Sequence, residues 1–251
     1  MSKKKRIGLY LSAIVLVACI FMIIFFWQRS AAEPPIRPLT SVYFHYDYPV
    51  ADSLEQMSAE SDLIVTGRYT GLDSTWNMAR DPADMRKEDP ENYVEGRLYR
   101  FDVQEVWKGE LEEDTILVNH KYLSVMKKEE SNAVVNEEGI ILSEATQTRE
   151  ISMTVHNPLF IEPTQDDTYI LFLKQDPNFG NYYGAIEPFS IKVTDGKTEL
   201  QSNLIDRTTY FTEEIPIDDN RTVHATIDAG VSIEDTISNK TMDEIKSRIA
   251  E

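Results

Sequence analysis

From Ile7 to Trp27 the chain reads IGLYLSAIVLVACIFMIIFFW, 21 residues without a charge. As a helix that run extends about 31 Å, the hydrocarbon thickness of a bilayer. It constrains everything after it, because only the remaining residues are left to build a fold in water. Lys3, Lys4, Lys5 and Arg6 precede the run, and only Gln28 and Arg29 follow it before the chain turns polar. A basic flank of that kind stays on the cytoplasmic side. The expectation is a basic cytoplasmic stub at 1–6, a transmembrane helix at 7–27 with Trp27 at the interface, and an extracytoplasmic C-terminal bulk.

Two other readings of the run change its fate but not the location of the bulk. A cleaved secretory signal has a shorter apolar core and a small-x-small exit, and no such exit follows Trp27. Leu16-Val17-Ala18-Cys19 matches a bacterial lipobox, but Ile20 to Phe26 continue apolar where a lipoprotein has a polar tether. The uncleaved anchor is therefore preferred, with a lipoprotein modified at Cys19 as the alternative. Cys19 is also the only cysteine. The exported part is expected to have no disulfide and to depend on its own core.

That part is strongly acidic. The sequence has 25 Lys+Arg and 43 Asp+Glu, and the first 29 residues hold five of the basic side chains and no acid. The rest therefore carries 20 against 43, a net of −23. Such a surface repels nucleic acid and anionic lipid, attracts cations or a basic partner, and keeps the chain soluble. The length suits one sizeable domain.

Residues 28–41, QRSAAEPPIRPLTS, read as an extended spacer, because three prolines deny it helix and ladder hydrogen bonds. The domain is expected to occupy 42–251. Asp52–Glu60 predicts a short helix capped by Asp52 or Ser53, with Leu54 and Met57 inward. Leu63-Ile64-Val65 begins a strand to about Tyr69, and the polar residues from there to Gly96 read as a long loop. Tyr99, Phe101 and Val103 alternate with polar residues, Val106-Trp107 resume after a bulge, and Lys108-Gly109 turn the chain toward Ile116–Val118. A hairpin is expected around Asn136–Gly139. Ile151, Met153 and Val155 give another alternation, and Tyr169–Leu173 reads as a central strand buried on both faces. Asp195-Gly196 is a type I′ hairpin signal, and Val223, Ala225 and Ile227 mark a last strand. Thr241–Glu244 is a capping box that opens a C-terminal helix. The fold class expected is mainly β, a single antiparallel barrel or sandwich of OB-like type built from about eight short strands with one or two short helices, behind one N-terminal transmembrane helix.

The order SDLIVTGRYTGL, YRFDVQEVWKGELEEDTILV, DDTYILFLK and PFSIKVTDGKTEL, within 52–200, resembles Gram-positive bacterial membrane-anchored surface proteins of no assigned activity. Their small OB-like barrel is similar to netrin and TIMP modules. The resemblance implies a barrel and supplies no catalytic residues. The cysteine-free barrel region departs from the disulfide-rich animal modules, so their inhibitory role is not carried over.

The residues themselves offer few groupings for chemistry. His45, His120, His156 and His224 form neither His-x₃-His nor His-Glu-x-x-His, the spacings that converge on zinc. His45 lies in the aromatic segment Tyr43–Tyr48, and His156-Asn157-Pro158 ends a strand in a turn. Gly-x-Ser-x-Gly and a paired Ser-x-x-Lys are missing, as are glycine-rich phosphate loops. The acidic clusters Asp81–Glu91, Glu110–Asp114 and Asp218-Asp219 lack the EF-hand pattern and read as solvated loops. Taken together these point to a membrane-tethered, non-enzymatic extracytoplasmic module. It would need no cofactor or metal, and would bind a protein or envelope component but no nucleic acid. The alternative is a metal-assisted envelope hydrolase using His45, His120 and His156 with nearby carboxylates.

Overall fold

The computed structural model describes residues 35–136, 140–205 and 210–249. The expected cytoplasmic stub, transmembrane helix, lipobox and Cys19 lie outside the described residues. Among the described residues no helix is long and apolar enough to cross a membrane. Two compact units are distinguished among the described residues, one of Leu39–Lys128 with residues 151–249, the other of Glu129–Glu150 with residues 35–38.

The fold is mainly β. In chain order the strands are β1 (Ser41–His45), β2 (Leu63–Asn77), β3 (Arg80–Asp81), β4 (Asp84–Glu88), β5 (Tyr93–Lys108), β6 (Thr115–Ser131), β7 (Val134–Val135) and β8 (Ile141–Ser143). There follow β9 (Thr148–His156), β10 (Thr168–Gln175), β11 (Tyr182–Gly184), β12 (Ser190–Thr194), β13 (Lys197–Leu200), β14 (Tyr210–Asp218) and β15 (Arg221–Asp228). The helices are α1 (Leu54–Glu60) and α2 (Met242–Ile249).

In the larger unit β2 lies between β5 and β10, and β5 pairs onward with β6. The far edge of β10 is shared. Thr168–Leu171 pairs with β12, while Leu173–Gln175 pairs with β11, which also meets β6. The pairings thus run in a closed circuit, β2–β5–β6–β11–β10. Strand alternation sorts the apolar side chains to its two faces. Leu63, Val65, Tyr169, Leu171 and Leu173 join Tyr69, Tyr99, Phe101, Ile116 and Val118 in one cluster. Ile64, Ile170 and Phe172 take the other face, against Leu54 and Met57 of α1, Ile191 of β12 and Ile245 of α2. Tyr169–Leu173 is therefore covered on both sides, as its unbroken apolar run predicts. A three-stranded sheet, β1–β15–β14, packs Phe44, Ile215, Val223, Ala225 and Ile227 against Ile151, Met153 and Val155 of β9.

Several local signals are realised as expected. Asp195 and Gly196 have φ of +52° and +75° and join β12 to β13. Ser53 caps α1 by accepting from the Gln56 amide at 3.3 Å. Thr241 Oγ1 accepts from the Glu244 amide at 3.3 Å, and the Glu244 carboxylate accepts from the Thr241 amide at 2.7 Å. The outer side of β13 is itself occupied. Thr198 donates its amide to the Lys240 carbonyl at 3.0 Å and accepts the Asn239 amide at 2.8 Å, so residues 239–240 bond along that edge.

Three expectations are corrected. Residues 70–96 do not form a loop: β2 continues to Asn77, β3 and β4 make a ribbon, and β5 starts at Tyr93. The segment from Gly71 to Thr75 is mostly exposed, so no apolar alternation announces it; its pairing with β5 is made by the backbone. The sheets are not wholly antiparallel, since β1–β15 and β11–β6 run parallel. The strands are also not uniformly short, as β2, β5 and β6 have 15, 16 and 17 residues.

In the smaller unit β7 pairs with β8 as the predicted hairpin, although its turn at 137–139 lies outside the described residues. Asn132 closes the base, its Oδ1 accepting the amides of Thr146 and Gln147 at 2.9 and 3.0 Å. Glu130, only 3% exposed, is neutralised by Arg149, whose Nε donates at 3.0 Å.

Candidate functional site

A cavity of about 550 Å³ opens in the larger unit, walled by the end of β2, β3, the middle of β6, and the segments after β9 and around β11. Its organisation begins with Asn77, whose amide group uses its whole hydrogen-bonding capacity. Nδ2 donates to the carbonyls of Asn92 (2.9 Å) and Asp89 (3.3 Å), while Oδ1 accepts the amides of Ala79 and Val94, both at 3.0 Å. That residue pins both ends of the β3–β4 excursion and sets Arg80 into the wall.

The Arg80 guanidinium carbon lies 4.6 Å from the ring centroids of both Trp76 and Phe179, over the angle made by the two rings. Those rings meet edge to face at 5.1 Å. Arg80 Nε donates to the Met78 carbonyl at 3.2 Å and Nη2 donates to the Asn77 carbonyl. Trp76 is fixed in turn by its Nε1, which donates to Asn119 Oδ1 at 2.9 Å. Gly96 makes room for this group, since a Cβ there would stand 2.4 Å from Trp76 Nε1 and 2.5 Å from Asn119 Oδ1.

Deeper in the wall His120 is ringed by aromatics. Its Nε2 is 3.0 Å from the Tyr69 hydroxyl, and its ring lies 5.3 Å from Tyr99 and 5.4 Å from Phe189. Burial penalises its imidazolium and lowers its pKa to about 4. Glu187 lies nearby in the chain fold, with Oε1 accepting from Ser202 Oγ at 2.7 Å. Burial raises its carboxyl to about 7. His120, Leu159, Glu187 and Phe189 also line a second, much smaller void of about 30 Å³, so they partition the two spaces. Phe189 reaches this position because residue 184 is glycine; a Cβ there would stand 2.4 Å from the Phe189 ring.

The histidines considered for a metal site are dispersed. His45 Nδ1 is 3.3 Å from Asp228, which also accepts from the Tyr43 hydroxyl at 2.6 Å. His156 pairs with Glu213, and His224 with Glu214 at 3.6 Å. His120 alone lies in the cavity wall. Among the described residues no group of three or more His, Cys, Asp or Glu side chains could hold a metal ion. The acidic residues around the β3–β4 ribbon are engaged in turns: Asp81 accepts the Ala83 amide, Asp84 pairs with Arg86 and Lys87, and Asp89 accepts the amides of Glu91 and Asn92.

Sequence reasoning missed Trp76, Arg80, Phe179 and Glu187. One signal was present, a tryptophan isolated in the polar stretch DSTWN, where burying an indole needs a partner surface. Comparison with protein-family models, with curated proteins and with solved structures finds no match.

Proposed function

We propose that this chain is a membrane-tethered, extracytoplasmic binding module of a bacterial surface, taking its ligand in the cavity between Trp76, Phe179 and His120. Its tether is residues 7–27, with the basic stub inside and the acidic bulk outside. The circuit of strand pairings is read as a small OB-like barrel, the architecture its sequence resembles.

The observation that carries the binding role is the cavity. Its volume of about 550 Å³ lies within the roughly 300–1,000 Å³ of small-molecule sites. Its wall is largely aromatic and aliphatic, with a few polar groups. Binding is preferred over turnover because the acid–base candidates of the wall and Asn119 already have partners: His120 bonds to Tyr69, Asn119 accepts from Trp76, and Glu187 accepts from Ser202.

Two measurements test the proposal. Protease added outside intact spheroplasts is expected to digest the chain beyond about Arg29 and spare the extreme N-terminus; protection of 52–251 would overturn the export. A fragment screen by ligand-observed NMR on the full chain in nanodiscs is expected to give hits that vanish when Ala185→Trp fills the cavity. Hits indifferent to that variant would overturn the assignment of the site.

A further inference from the structure

Arg80 is the most unusual side chain in the cavity wall. The chain beyond residue 29 carries a net −23, yet this guanidinium has no carboxylate within ion-pair distance among the described residues; its hydrogen bonds are two, to the carbonyls of Met78 and Asn77. Those bonds use Nε and Nη2. Among the described residues Nη1 has no acceptor, while the rings of Trp76 and Phe179 hold the group in place. An arginine fixed by stacking and by backbone carbonyls has lost its rotamer freedom before any ligand arrives, and its remaining donors keep their direction.

The other charged groups in the wall are Lys121, Asp176 and Glu187. Asp176 is turned to the backbone, its Oδ1 accepting the amides of Asn178 and Phe179 at 2.8 and 3.3 Å. Glu187 is held by Ser202, and burial raises its carboxyl to about 7, so below neutral pH it is mostly the uncharged acid, which repels no anion. Lys121 sets its ammonium 6.0 Å from the ring centroid of Tyr46, which lies outside the wall, and beyond the two cations the wall offers apolar faces, those of Phe160, Phe189 and Tyr183.

We infer that this cavity binds a small organic anion with a flat apolar body, its carboxylate or other anionic oxygens on Arg80 Nη1 and its body against Phe160, Phe189 and Tyr183. The inference rests on the cavity being the binding site, and it adds the charge and shape of the ligand. The acidic exterior then works as a filter. An anion enters only where the local cation outweighs the general repulsion, so weakly matched anions are kept out.

Three probes that share one body and differ in charge test this: 2-naphthoate, 2-naphthalenemethanol and 2-naphthylmethylamine. Each is measured by equilibrium dialysis against the full chain in zwitterionic nanodiscs, with empty nanodiscs subtracted. The acid is expected to bind at least ten-fold more tightly than the alcohol, and the amine most weakly. Arg80→Gln should cost the acid about ten-fold and the alcohol less than two-fold, while Arg80→Lys should keep part of the preference for the acid. The comparison among probes on the unaltered chain needs no variant to fold. If acid and alcohol bind equally, and Ala185→Trp abolishes both, the cavity stands and the anion assignment falls. If no probe shows binding sensitive to Ala185→Trp, both fall.

Discussion

His120 and Glu187 stand in one partition and respond to pH with opposite signs. Glu187 has an ordinary value of 4.5, raised to about 7 in the fold. Between those limits the unfolded chain gives up the proton that the native chain keeps, so this residue lowers stability as pH rises from 4.5 through 7, by at most about 3 kcal/mol. His120 is lowered from 6.5 to about 4. There the unfolded chain takes up a proton that the native chain refuses, and stability falls as pH drops from 6.5 through 4, by a similar amount. Across pH 4.5–6.5 the two slopes largely offset each other. Glu187→Gln should uncover the histidine slope: relative to the parent chain, the variant gains stability as pH rises from 5 to 7 and stays ahead at pH 8. Urea unfolding of the full chain at each pH, followed by circular dichroism, measures this. Identical pH profiles for variant and parent would show that the buried carboxyl does not titrate near neutrality. Neither residue announced this role in the sequence. A histidine between Asn119 and Lys121, and a glutamate before Pro188, acquire shifted acidities only when segments distant in the chain enclose them.

Among the elements β10 carries the most packing, because its alternate side chains feed two different clusters. Leu171 and Phe172 are fully buried, one on each face. Either residue truncated to alanine should cost about 2–5 kcal/mol, a large share of a domain's stability, whereas Glu112→Ala on the β5–β6 loop should cost little. Denaturant melts of the three variants compare them; equal losses would mean that β10 is not the centre of the packing. This strand was legible because an apolar run of five bounded by polar residues has few other places to go. β9 and β15 were legible from alternation, with Ile151, Met153 and Val155, and Val223, Ala225 and Ile227, each sharing a face. The second half of β2 was not. Its residues from Gly71 to Thr75 bury little side-chain surface, and their strand state comes from pairing with β5, a partner more than twenty positions away. Because Arg80 and the cavity wall hang from that half of β2, missing the strand meant missing the site.

For the molecule as a whole, charge dominates what solution conditions can do. The carboxylates around the β3–β4 ribbon accept hydrogen bonds from their own turns, so divalent ions are expected to act by screening. Thermal melts at matched ionic strength should then show equal shifts for calcium and magnesium. A shift specific to calcium, about 2.7 kcal/mol at a hundred times its dissociation constant, would reveal a chelating site, since calcium accepts irregular oxygen geometry that magnesium refuses. The same negative surface has a structural counterpart in the occupied side of β13, where Thr198 exchanges hydrogen bonds with residues 239 and 240. Molecules anchored in a plane meet far more often than the same molecules dispersed in volume, and they meet with similar orientation. A bare strand on that flank would present each neighbour with a template for continuing the sheet, and fibrils or rafts could grow laterally. With residues 239 and 240 bonded along that flank, a chain tethered as proposed offers no such template there to a neighbouring copy.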